Sequence, residues 1–328
     1  MRRRAGLSLA ALGVLLLALC VASHVAGRVW APFSAWTDPS DPRWAIIFQL
    51  RIPRTVLAVA VGAALGLSGA AMQGYTRNPL ADPGALGVSA MAALGAVTSL
   101  YFGAGAQGPW LITGLAMAGA LAAVVILLAL AGGGSTMVTF ILAGVVLQTL
   151  AAAGVALALS LAPNPWAVNE IVDWLMGSLA DRSAGEVAFA LPFMAAGAVL
   201  VLMTGRALDA LTLGETTARS LGVDLRRTRV LLAAGVALTS GASVAVTGVI
   251  GFVGLIVPHL LRPLVGARPG ALLWPSALGG AVLVLAADIL VRLTPGTNEV
   301  KLGVAMAAIG APFFFCLLYT SPSPRDRG

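Results

Sequence analysis

Residues 51–89 read RIPRTVLAVAVGAALGLSGAAMQGYTRNPLADPGALGVS. Two arginines lead into an uncharged apolar run with recurring glycine, and a polar turn punctuated by proline follows. The run from 55 to 74 has the length of a bilayer-crossing helix, which takes roughly 20 apolar residues. Gly62, Gly66 and Gly69 recur along it at small-residue spacing. Lipid supplies no hydrophobic force between helices, so such positions mark where backbones approach closely. Asn78-Pro79 and Asp82-Pro83 each place a capping side chain before a proline, whose missing N–H is harmless in a first helical turn. The two pairs predict a very short helix starting at Pro79 and a new span restarting at Pro83.

The rest of the chain extends this pattern. Of 328 residues, 59% are hydrophobic and 10% charged, and the mean hydropathy is +0.95. A soluble domain carries about 25% charged residues, so most of this surface faces lipid. Apolar runs at 7–26, 55–74, 84–103, 110–131, 136–160, 186–204, 229–250, 252–266, 271–292 and 299–318 fit about ten spans of an all-α polytopic membrane protein. The run at 252–266 is short and holds Pro258, His259 and Arg262. Arg2, Arg3 and Arg4 precede the first run with no clean cleavage site after it, so an uncleaved first helix is expected. Cys20 lacks the small residue that precedes a lipidated cysteine, and with Cys316 as its only possible mate no disulfide framework is implied.

A cytoplasmic N-terminus puts Arg2, Arg3, Arg4, Arg77, Arg206, Arg219, Arg226, Arg227, Arg229, Arg262, Arg268, Arg325 and Arg327 inside. That is most of the 20 basic residues, as the positive-inside rule asks. The pI near 10.6 then reflects membrane topology and not a nucleic-acid surface. Arg28, Arg43, Arg51 and Arg54 break the rule together in the first external loop.

Two polar segments carry patterns of their own. Residues 168–179 place Val168, Ile171, Val172, Leu175, Met176 and Leu179 on one helical face, with Trp166 and Trp174 suited to a membrane interface. They predict a short helix at the outer rim. In the inner loop 205–228, Thr212-Leu-Gly-Glu215 reads as a capping box and Gly222 as a C-terminal glycine cap. Between them a two-turn helix over 213–221 is expected, exposed beneath the bundle, where Leu213 and Leu221 need a partner or a fold back onto the chain itself.

Charges are almost absent from span centres, where each costs about 2.5 to 3.5 kcal/mol. Asp288 and Arg292 lie four apart near the end of a span and can pair. The scarcity of intramembrane carboxylates weighs against an ion-coupled secondary carrier. Gly66-Leu-Ser68-Gly69 matches the GxSG pattern of intramembrane serine proteases, with His259 as a possible base, but a four-residue match among the commonest residue types here is expected by chance. There is no GxxxxGK[ST], and Lys301 is the sole lysine, so any ATP is hydrolysed by another subunit.

Arg51-Ile-Pro-Arg54, SGAAMQG at 68–74, NPLADPGALGVS at 78–89, WLMGSL at 174–179, LGETTARSLGV at 213–223, GFVGLIVPHLLRPLVG at 251–266 and LGVAMAAIGAPFF at 302–314 occur in this order. Over about residues 5–315 the chain resembles the FecCD/BtuC-type permeases of bacterial ABC importers. The resemblance implies a single permease domain, 1–315, with a cytoplasmic coupling loop at about 205–228. It implies a multi-pass protein of the bacterial inner membrane with its N-terminus in the cytoplasm. The implied partners are a second permease subunit, identical or homologous, two ABC ATPase subunits and a periplasmic substrate-binding protein. No cofactor or metal of its own is implied. The implied cargo is an iron(III)-siderophore or related metal chelate, with cobalamin and haem as alternatives.

Site residues follow from the same resemblance. Glu215, Ala218, Arg219, Leu221 and Gly222 would form the helix that couples to the ATPase. Arg51, Arg54 and Arg292 would meet acidic residues of the binding protein, which gives the external arginines a reason. Ser135 and Thr136 would narrow the cytoplasmic gate. After Phe315 the chain reads CLLYTSPSPRDRG, which departs from the family and resembles a translated sequencing-adapter read-through. Residues 316–328 are therefore expected to be a non-native tail.

Overall fold

The computed structural model describes residues 2–27, 29–30, 32–103, 109–131, 136–295 and 299–320. Among them there are helices and connections and no strand. In chain order the helices are α1 (Arg2–Val25), α2 (Pro42–Ala45), α3 (Ile52–Thr76), α4 (Val88–Tyr101), α5 (Pro109–Ala131), α6 (Met137–Ser160) and α7 (Pro165–Leu175). They continue with α8 (Ala184–Met203), α9 (Gly205–Leu211), α10 (Glu215–Ser220), α11 (Leu225–Thr247), α12 (Val253–Val265), α13 (Pro269–Leu293) and α14 (Leu302–Thr320). A π-helical stretch, Ile46–Arg51, joins α2 to α3. Seven helices of the described residues are long and apolar enough to cross a bilayer, and α4, α12 and α14 are shorter apolar helices. Together they match the ten apolar runs.

Burial sorts these helices into a centre and a rim. The apolar windows of the α2–α3 segment, α11 and α13 are 78%, 78% and 61% buried, against 6% for α1, 22% for α6 and 28% for α8. The centre is therefore α3, α11 and α13, and the rim turns apolar side chains such as Leu17, Leu142 and Val199 outward. The closest pairing is α3 with α13. A Cβ on Gly62 would run into the Gly280 carbonyl, and one on Gly66 into the Ser276 carbonyl. Gly69 meets Gly254 of α12 in the same way. Small residues let these backbones touch and gain dispersion contacts along their whole length.

Two connections are broken at depth. α3 stops at Arg77, whose φ is +52°. Asn78 Oδ1 then accepts the Leu80 N–H at 2.9 Å, which closes a turn. The short helix expected at Pro79 is thus a side-chain-closed turn. Asp82 Oδ1 accepts the Gly84 N–H at 2.8 Å and opens the 3₁₀ turn Pro83–Leu86. Gly87, at φ +73°, ends it, and α4 begins at Val88. The span restart therefore lies after the left-handed glycine and not at Pro83. The second break, between α11 and α12, passes through Gly248 at φ +72° and Phe252 at φ +67°.

At about 1.5 Å per residue, α4 and α12 each cover roughly 20 Å of an apolar layer about 30 Å thick. Non-helical backbone at that depth is tolerated where protein covers it. Here α12 covers the first break, since a Cβ on Gly254 would lie 2.7 Å from Pro83 Cδ, and the end of α7 covers the second, since a Cβ on Gly248 would run into the Trp174 carbonyl.

Gly280→Val places a branched side chain against the Gly62 carbonyl. Overpacking of this kind costs about 1–3 kcal/mol. The expected outcome is a thermal midpoint several degrees lower in detergent, measured by a thiol-independent fluorescence melt, while Gly13→Val, with nothing nearby, leaves the midpoint unchanged.

Candidate functional site

The chain has two polar ends, one carrying α10 and the other carrying α7. At the α10 end, α9 closes with Leu211, and Thr212 donates its hydroxyl to the Asp209 carbonyl at 2.7 Å. Thr212 therefore does not cap the next helix as the sequence pattern predicts. The N-cap is Gly214, at φ +96° and ψ 157°, a conformation that disfavours any side chain, and it shortens the helix to Glu215–Ser220. The other end matches expectation. Gly222 lies at φ +83°, its N–H bonds the Arg219 carbonyl at 2.9 Å, and the Val223 N–H bonds the Ala218 carbonyl at 3.0 Å. These paired bonds are a Schellman cap.

Ala218 is fully buried against the bundle, whereas Leu213 and Leu221 are each 62% exposed, with Arg219 and Gly222 also on the open side. One small residue anchors α10, and two leucines flank its open face.

Behind α10 lies a buried cluster. Arg229, in the first turns of α11, is 4% exposed; its Nε–H reaches the Tyr75 hydroxyl at 3.3 Å and its guanidinium sits 5.7 Å over the Phe140 ring. Tyr75 and Phe140 meet edge to face at 5.8 Å. Sequence reasoning treated Arg229 only as one of several inside charges. The available signal was helical register: Leu225, Thr228, Arg229, Leu232 and Val236 form the buried stripe of α11, and Arg226 and Arg227 fall off it. Phe140 lies one turn into α6. Thr136 is the N-cap of that helix, exposed, accepting the Thr139 N–H at 3.3 Å. Ser135 lies outside the described residues.

At the α7 end the structure brings Arg51, Arg54 and Arg292 to one cleft of about 210 Å³, together with Asp181 and Glu299. None of the three is a free surface cation. Arg51 donates to the His24 and Val29 carbonyls at 2.6 and 2.5 Å. Arg292 donates to the Ser23 carbonyl at 2.9 Å and pairs with Asp288 at 2.8 Å, in the i,i+4 relation expected from the sequence. Arg54 bridges two carboxylates, Asp288 at 2.9 Å and Glu299 at 2.8 Å.

Asp288 and Arg292 are buried, while Glu299 stays about one-third exposed. Removing one partner from such a buried set leaves an uncompensated charge, which costs more than the pair contributes. The segment around Glu299 has a second tie, Lys301 to Asp173 of α7 at 2.6 Å. The rim helix itself starts at Pro165 behind an Asn164 N-cap and ends at Leu175, earlier at both ends than 168–179.

Ser68 and His259 do not meet as a catalytic pair. Ser68 is fully buried and hydrogen-bonded to Thr239 Oγ1 at 2.6 Å. Thr239 gives its own proton to the Gly235 carbonyl at 2.8 Å, so Ser68 is the donor between them. His259 packs edge to face with Phe313 at 6.0 Å. Gln73 instead joins helices: it donates to the Gly254 carbonyl at 3.1 Å and accepts from Arg262 at 2.7 Å.

A bundle with glycine-packed central helices, two helices spanning about two-thirds of the apolar layer and an exposed short helix at one polar end has the make-up of a transport permease. The chain belongs to the FecCD transport family, which it matches over residues 13–320. It is 39% identical over 306 residues to the vitamin B12 import system permease protein BtuC of Vibrio cholerae, covering 93% of this chain and 91% of that one. To the hemin transport system permease protein HmuU of Yersinia pestis it is 37% identical over 322 residues, covering 95% of both. A solved structure of an inward-facing ABC transporter assigned to the metal-chelate type superposes with a TM-score of 0.83 at 31% identity, covering 97% of this chain and 100% of that one. This chain is thus the permease subunit of an ABC importer, a transport component and not an enzyme.

Asp288→Asn would leave Arg54 and Arg292 without their shared buried carboxylate. A loss of about 3–5 kcal/mol is expected, read as a large drop in the denaturation midpoint of the detergent-purified protein. Glu299→Gln, at the exposed edge of the same cluster, should cost under about 1 kcal/mol.

Proposed function

We propose that this permease carries a metal chelate into the bacterial cytoplasm, paired with a second permease subunit, powered by two separate ATPase subunits and fed by a periplasmic binding protein. The single observation that carries the reading is the presentation of α10: Ala218 pins it to the bundle while Leu213 and Leu221 stand exposed at a polar end. Two exposed leucines flanking a short helix are met by an apolar groove in a partner. We take that partner to be the ATPase and the α10 end to be cytoplasmic, with Glu215, Ala218, Arg219, Leu221 and Gly222 as the coupling helix. The arginines near α10 support that orientation under the positive-inside rule. Thr136, with Ser135, is assigned to the cytoplasmic gate.

The rim supports the pairing of permeases. α6 keeps Gln148 exposed among Val145, Val146 and Leu150 on a helix long enough to span the membrane, whereas the neighbouring Thr149 returns its hydroxyl to the Val145 carbonyl at 2.9 Å. Polar side chains on such a face are accommodated by a neighbouring helix or a water-filled path and not by lipid. The transport path is therefore assigned to the α6 side, between two subunits.

The binding protein is assigned to the cleft of Arg51, Arg54 and Arg292. Their charges are already matched within the chain, so an acidic partner residue gains Arg54 only by displacing Glu299. For cargo, a corrinoid or a haem is favoured by the names of the relatives at 37–39% identity, and a ferric siderophore is the remaining member of the same chelate class.

Three measurements test this. Proteoliposomes holding the whole importer should accumulate radiolabelled vitamin B12, hemin or a ferric siderophore only with ATP and binding protein together; accumulation without either overturns the reading. Leu221→Glu should cut uptake at least about tenfold, equivalent to ~1.4 kcal/mol, by weakening ATPase attachment, visible as loss of the ATPase on co-purification. Glu299→Gln should tighten binding-protein association several-fold in a surface-binding assay, and an unchanged affinity removes the displacement step.

A further inference from the structure

We propose that Tyr75, Arg229 and Phe140 are the joint through which α10 moves the start of α6. The proposal rests on the reading of α10 as the coupling helix and adds the route by which its displacement leaves it. α10 has six residues and one fully buried side chain, Ala218, so little of it is held by packing. Its N-cap, Gly214, approaches the end of α3: a Cβ there would lie 4.0 Å from Nη1 of Arg77, the residue that caps α3 two positions after Tyr75. Tyr75 is in the last turn of α3 and 4% exposed, and its hydroxyl receives the Arg229 Nε–H. The Arg229 guanidinium then lies over Phe140, which also receives the edge of Tyr75. Each of the three side chains thus touches the other two, and they come from three different helices.

The chemistry of the three groups makes this contact stiff. Aromatic rings and a planar guanidinium meet in a few preferred geometries. Phe140 is also the first buried residue of α6, with Ala143, Gly144 and Leu147 continuing its inner face and Val138 and Leu142 exposed on the other. The N-terminal turn of α6, from the Thr136 cap onward, is attached to the bundle through the half-buried Met137 and the fully buried Phe140. A shift of α10 that tilts Tyr75 or Arg229 must either move that turn or break the three-way contact. Tyr75, Arg229 and Phe140 act through other residues and touch no cargo; they are positioning residues.

The test uses the whole importer in proteoliposomes, with whichever of radiolabelled vitamin B12, hemin or a ferric siderophore the wild type accumulates. The readout is the number of ATP molecules hydrolysed per cargo molecule imported. Tyr75→Phe keeps the ring and removes only the hydroxyl; Phe140→Leu keeps an apolar side chain and removes the ring. Each should raise the ratio roughly three- to tenfold, as expected for loss of a coupling contact, and the double variant should be little worse than either alone. A purely structural role would lower yield and thermal midpoint together and leave the ratio where it was. If Phe140→Leu does not assemble, Tyr75→Phe alone decides. A ratio within about twofold of wild type in the assembled variants overturns the joint while uptake by the wild type still stands. Absence of ATP-dependent uptake in the wild type overturns the transport reading and the joint with it.

Discussion

The approach of α3 to α13 is the contact on which the rest of the structure depends. In water, two helices with glycine facing glycine would have little to bury. In lipid the comparison is different, because side chains gain nothing by leaving hydrocarbon for a neighbouring helix. What remains is the fit of one backbone to another, and Gly62, Gly66, Ser276 and Gly280 supply it without intervening side chains. α11 and α12 then pack against a pair whose spacing is already fixed. The short α12 depends on this most directly, since its Gly254 is seated against Gly69 of α3 and Pro83 of the first break.

The same economy governs charge. The α7 end gathers three arginines near the membrane surface, and each is answered within the chain by carbonyls, by Asp288 or by Glu299. A buried charge set of this kind is weak support for stability and strong support for geometry. It fixes α1, α3 and α13 relative to one another at that end, because Ser23, Arg54 and Asp288 come one from each. At the opposite end Arg229 does comparable work with aromatic rings as partners. The helices are thus clamped by ionic groups near one surface and by a cation over a ring near the other, with glycine contacts between.

The fold was legible in the sequence to the extent that it is local. The apolar runs located every spanning helix, since length and hydropathy are summed over many residues. Helix ends were less legible. The capping box at Thr212 had the right letters, yet Gly214 could take a backbone shape that outcompeted it. Gly87 likewise moved the start of α4 past the proline that seemed to announce it. Among the site residues, Gly222 was readable because a C-terminal glycine cap is a local event. The partners of Arg54 were not: Asp288 and Glu299 lie 234 and 245 residues away in the chain, and no periodicity connects them. Charge counting found the arginines and could not find what neutralises them. Tyr75 and Phe140 were hidden for a related reason, as single aromatics in apolar runs give no hint that they meet.

The Lys301–Asp173 tie has a further chemical meaning. Lys301 is the sole lysine of the chain, and it sits at the α7 end. Every other basic side chain apart from two histidines is an arginine, which does not react with amine-directed reagents. The protein therefore carries one addressable lysine side chain, on one side of the bilayer only, and that group is bonded to the rim helix. An impermeant acylating reagent, read at Lys301 separately from the α-amino group, would mark the sidedness of the whole molecule, and its rate would report whether the rim helix and the segment leading into α14 are clasped or apart.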